Sequence, residues 1–102
     1  MRVLVFFDLP IGTAVQRKAY REFRKFLLKE GFLMVQESVY SKLAMTNAAA
    51  NSMIKRLQEN PPKQGLVQVL KVTEKQYAGM VYVAGQKEET EELCTSERLV
   101  VL

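Results

Sequence analysis

Asp8 is the only aspartate of the 102-residue chain, and it stands where the apolar run Val3 to Phe7 gives way to Leu9-Pro10-Ile11-Gly12. A carboxylate at a strand end can bind a hard cation such as Mg²⁺, which takes oxygen ligands and keeps several waters. It can equally cap or turn the backbone. One carboxylate is a poor metal site, but a two-fold axis running past this loop would bring two copies of Asp8 together. The second chemical feature is cationic: Arg17, Lys18, Arg21, Arg24, Lys25 and Lys29 are accompanied by only Glu22 and Glu30 in a segment of helical spacing. Arg17, Arg21 and Arg24 fall at intervals of four and three and form one stripe, which Lys18, Lys25 and Lys29 flank. From Arg17 to Lys29 the rise is about 18 Å, enough to follow several phosphates. Solvated helix faces usually mix signs, whereas this one stacks like charges that repel unless an anion is present, which favours nucleic-acid contact. Lys55, Arg56 and Lys63 can extend the basic surface and are equally ordinary as solubilising charges.

The chain contains no histidine and a single cysteine, Cys94. Imidazole-dependent triads, most transition-metal sites and an internal disulfide are therefore excluded, and Ser38 and Ser41 have no histidine base. A lone cysteine suits a reducing compartment, so a cytoplasmic location is expected. The five-residue run Val3 to Phe7 is too short for a membrane span, so no membrane partner is expected. No phosphate-cradling loop, dinucleotide fingerprint, CxxC or HExxH motif occurs. Net charge is +4 from 15 basic and 11 acidic residues. Residues 1 to 82 carry 13 basic and 6 acidic side chains, giving +7, and residues 83 to 102 carry 2 and 5, giving −3. A basic body suits a polyanion.

The elements that must position these groups follow from periodicity. Residues 2 to 8 read as a central strand buried on both faces. Thr13 and Gln16 match a capping box that starts a helix ending near Glu30 at Gly31, with Ala19, Phe23, Phe26 and Leu27 toward the sheet. Phe32 to Leu43 is β-rich, and a bulge or a very tight turn near Gln36-Glu37-Ser38 divides it; sequence leaves both open. Thr46 or Asn47 caps a second helix before Pro61-Pro62, with Ala48, Met53, Ile54 and Leu57 as its apolar face. Leu66 to Val72 alternates as a strand, Thr73 to Gln76 opens a helical turn, and Met80 to Val83 reads as a further short strand. This order predicts an α+β two-layer sandwich, one sheet with two helices on one face. Residues 1–84 form the domain, 85–97 an acidic linker and 98–102 a terminal strand.

Phe7-Asp8-Leu9-Pro10, Arg17-Lys18-Ala19-Tyr20-Arg21, Gly31-Phe32 and Val35-Gln36-Glu37-Ser38-Val39-Tyr40, in this order and at this length, resemble the CRISPR-associated protein Two family. Asn47 to Pro62, Val72 to Gln76 and Arg98 to Leu102 look most like variants accompanying type II CRISPR loci. The resemblance implies a ferredoxin-like fold, an antiparallel sheet with an extra C-terminal strand, and a prokaryotic homodimer. Such a dimer joins two dimers of CRISPR-associated protein One, the integrase subunit, and captures duplex DNA for insertion as a spacer. The family is also described as Mg²⁺-dependent endonucleases of RNA or duplex DNA, with the strand-end aspartate as catalytic metal ligand; by matching position this is Asp8. Arg17, Lys18, Arg21, Arg24 and Lys25 are then the phosphate-contacting set. Leu99, Val100, Val101 and Leu102 are too hydrophobic to remain free and are expected to dock on a sheet edge of the other protomer or of the integrase subunit.

Overall fold

The computed structural model describes residues 1–85. The acidic linker beyond Gly85 and the docking strand 98–102 lie outside the described residues. Seven elements follow one another: β1 (Arg2–Asp8), α1 (Ala14–Lys29), β2 (Leu33–Gln36), β3 (Val39–Leu43), α2 (Asn47–Gln58), β4 (Leu66–Val72) and α3 (Glu74–Ala78). The four strands make one sheet in the order β2-β3-β1-β4, and every neighbouring pair is antiparallel. This βαββαβ order with α1 and α2 on one face is the ferredoxin-like α+β sandwich.

β1 is central because its composition suits burial on both sides: Val3, Leu4, Val5 and Phe7 are buried and Phe6 is half-buried. Its odd-numbered residues face the helices. Val3, Val5 and Phe7 pack with Phe23 and Leu27 of α1 and with Ala50 and Leu57 of α2. Full burial of each large side chain contributes roughly 1.5–3 kcal/mol. The Phe7 ring meets Phe23 edge-on at 5.2 Å and lies 5.7 Å from both Tyr20 and Tyr40. This aromatic cluster seats the middle of α1 over the end of β1.

Helix ends are set by local chemistry. Thr13 and Gln16 form the reciprocal capping box of α1. At its other end Gly31, at φ 94°, closes a Schellman motif in which Phe32 N donates to Leu27 O and Gly31 N to Leu28 O, each at 3.0 Å. Lys42 reinforces that end, its Nζ donating to the Glu30 carbonyl at 2.6 Å. Thr46 caps α2.

The stretch Phe32 to Leu43 contains both of the irregularities that sequence left open. Glu37-Ser38 forms a two-residue turn between β2 and β3, and the register also shifts between Met34 and Gln36. Two expectations need correction. Ala48 is exposed, and Ala50, at 0% exposure, is the small residue that α2 presses on the sheet. Met80 to Val83 is not a strand: Val81 and Val83 are 81% and 98% exposed, and no strand of the described residues pairs with them. The composition of this tetrapeptide suits a strand, but among the described residues it pairs with neither outer edge of the sheet, β2 or β4, and its backbone gains no ladder bonds there.

Candidate nucleic-acid interface and the Asp8 cleft

Asp8 is the last residue of β1, exposed and opposite Leu66 of β4. The loop that follows is held from two sides. Gly65, at φ 97°, lies so close that a Cβ there would meet the Asp8 carbonyl oxygen at 2.7 Å and Leu9 Cδ2 at 2.6 Å, so a side chain would push β4 away from Asp8. On the other side Gln16 Oε1 accepts from Gly12 N and Thr13 N, while Gln16 Nε2 donates to Gln64 Oε1 at 3.2 Å. The start of α1 is thus fastened beside the carboxylate.

Between the end of β1, the first turns of α1 and the β2–β3 turn lies a cleft of about 510 Å³. Asp8, Arg17, Arg21, Tyr20, Glu37 and Ser38 supply its polar lining, and Leu9 and Ile11 its apolar wall. The structure therefore brings the sole aspartate together with two of the three stripe arginines. Arg17 Nη1 donates to the Ile11 carbonyl at 3.3 Å. The third arginine is placed differently. Arg24 Nε donates to the hydroxyl of Tyr40 at 2.9 Å, and Tyr40 is 1% exposed. Arg24 thus braces α1 against β3. Lys18, Lys25 and Lys29 lie on the outer side of α1 and are exposed.

The charge balance of this surface is one-sided. Among the described residues the ion pairs are Arg2–Glu74 and Arg56–Glu30, both at 2.7 Å, and none includes a cation of α1. Arg56 is thereby committed to Glu30, whereas Lys55 remains exposed. Lys63 borders a separate recess near Leu9 and Val15.

Among the described residues no group of three or more His, Cys, Asp or Glu converges. Asp8 and Glu37 both line the cleft. Such a set fits a Mg²⁺ held through one or two carboxylates together with waters and substrate phosphate oxygens, and does not fit an all-protein cage. Tyr20, Glu37 and Ser38 were not singled out from sequence as cleft residues. Ser38 carried a signal, standing at the Gln36-Glu37-Ser38 break in an otherwise β-rich stretch, but its contacts depend on tertiary packing.

The family model described as "CRISPR associated protein Cas2" matches residues 1–80. The chain belongs to the Cas2 family. A CRISPR-associated endoribonuclease Cas2 of Streptococcus mutans is 54% identical over 102 residues, covering all of this chain and 93% of the relative. One of Treponema denticola is 54% identical, and one of Ligilactobacillus salivarius 42%, each with full coverage of both chains. The ferredoxin-like fold expected from the Cas2 resemblance is the fold observed, and residues 1–80 span its whole sheet and all three helices. No described helix is long and apolar enough to cross a membrane.

Proposed function

We propose that this Cas2-family chain is a homodimeric scaffold of spacer acquisition, holding duplex DNA through its phosphates and bridging dimers of the CRISPR-associated protein One integrase. The observation that carries the reading is the α1 surface, where Arg17, Lys18, Arg21, Lys25 and Lys29 have no carboxylate partner among the described residues. Like charges so arranged are relieved when phosphates enter and counterions leave. Contacts of this kind position a duplex without reading its bases. The homodimer is supported by the sheet face away from the helices, which presents apolar side chains.

The test is charge reversal at Arg21 and Lys25, leaving Arg24 and its Tyr40 bond intact. The variant R21E/K25E should bind duplex DNA at least about tenfold more weakly at low salt, and its plot of log K against log salt should be shallower by roughly two per engaged protomer. Unchanged affinity and slope would overturn the assignment.

A second reading is favoured by one observation, the placement of Asp8 in the same cleft as Arg17 and Arg21. In it the chain is an endonuclease of RNA or duplex DNA. Mg²⁺, when bound, would supply an activated water and offset charge at the phosphorus. Asp8 would hold the cation, paired across the dimer axis with its counterpart, while the two guanidiniums neutralise the phosphodiester oxygens. The relatives' names support nuclease activity in the family.

A further inference from the structure

Ser38 is the one described residue other than glycine with positive φ, at 68°. Left-handed backbone is unfavourable for a residue with a Cβ and persists where its surroundings over-determine it. A glycine would serve a bare turn better, so the serine side chain has a task. Its hydroxyl lies 3.2 Å from the Tyr20 hydroxyl of α1, and its carbonyl accepts from Phe7 N at 3.1 Å. Phe7 precedes Asp8 and Tyr20 precedes Arg21. One strained residue therefore joins the strand end bearing the cleft's carboxylate to the helix turn bearing its guanidinium.

We infer that Ser38 is a positioning residue of the cleft, a latch that sets Arg21 relative to Asp8 by holding Phe7 through its backbone and Tyr20 through its hydroxyl. The inference rests on the reading of the α1 surface as a phosphate-backbone site and adds which residue holds that site in register. The Tyr20 ring stays packed on Phe7 in either case, so loss of the hydroxyl contact loosens the cleft without emptying the core.

The test uses the full chain, a duplex DNA probe and the variants S38A, S38G, Y20F and R21Q. S38A and Y20F should each weaken duplex binding about threefold to tenfold, the size of one neutral hydrogen bond. S38G should lose as much affinity yet melt at a higher temperature than S38A, because it sheds the strain that alanine keeps. A merely structural role would make affinity follow melting temperature across the pair. In the R21Q background S38A should cost no further affinity. Native-like binding by S38A and Y20F, or an equal loss from S38A in both backgrounds, would overturn the latch and leave the backbone reading standing. Native-like binding by R21Q would remove the cleft from that reading, and the latch with it.

Discussion

Asp8 is where the two functional readings separate. The carboxylate lies in a cleft with Arg17 and Arg21, so its negative charge opposes the approach of a phosphate while serving as the oxygen donor a hard cation needs. On the endonuclease reading Asp8→Asn should abolish divalent-metal-dependent cleavage of nucleic acid, and on either reading it should leave duplex binding unchanged or tighter, measured on the same preparation. Cleavage that persists in the variant would show that Asp8 does not carry it. Arg24 shows the converse situation, a cation whose residue type and spacing match its neighbours but whose Nε is given to a buried tyrosine hydroxyl. Sequence spacing places Arg24 in a stripe, and only the tertiary structure shows that its Nε is bonded to Tyr40 while the residue stays exposed.

At the scale of elements, the short helix α3 depends on a tether. Arg2 Nε and Nη2 donate to the two carboxylate oxygens of Glu74 at 2.9 and 2.7 Å, and the guanidinium lies 4.4 Å over the Tyr77 ring. The hydrogen bond from Arg2 holds the Glu74 carboxyl below its ordinary value, and the same bond raises the Arg2 guanidinium. A lowered carboxylate contributes stability that is complete above the unfolded-state value and is lost as pH falls through the folded-state value. Thermal melting from neutral to acidic pH should show a shallower acid limb for E74Q than for the native chain; superimposed limbs would dismiss the tether. Glu74 is half exposed, so the contribution is modest and screened by salt. The caps of α1 and α3 were legible in sequence because Thr13 with Gln16 and Thr73 with Gln76 act within four residues. Met80 to Val83 misled for the opposite reason: its composition suits a strand, but strand formation requires a neighbour that composition does not supply.

At the scale of the whole molecule, the described residues cover the sheet on one face only. On the other, Leu33, Leu66, Leu70 and Leu43 are 71%, 55%, 51% and 47% exposed around the buried Leu4. An apolar sheet face of this kind on a small domain is the surface a second copy would cover, since twofold pairing of one patch with itself buries both. If this face pairs two copies, the unsubstituted chain should run as a dimer and Leu70→Arg as a monomer by light scattering while circular dichroism stays native; a dimer that survives the substitution would place the pairing surface elsewhere. Sequence alone determined the alternation of elements, the basic helix, the strand-end aspartate and the family motifs, because each depends on spacing within one element or turn. Tertiary structure decided which cations share the cleft with Asp8, that Arg24 turns to Tyr40, and that Ser38 links Phe7 with Tyr20. Those contacts join residues from different elements, and the rotation of α1 on the sheet, set by the packing of Phe7, Phe23 and Tyr40, determines where each side chain of the stripe arrives.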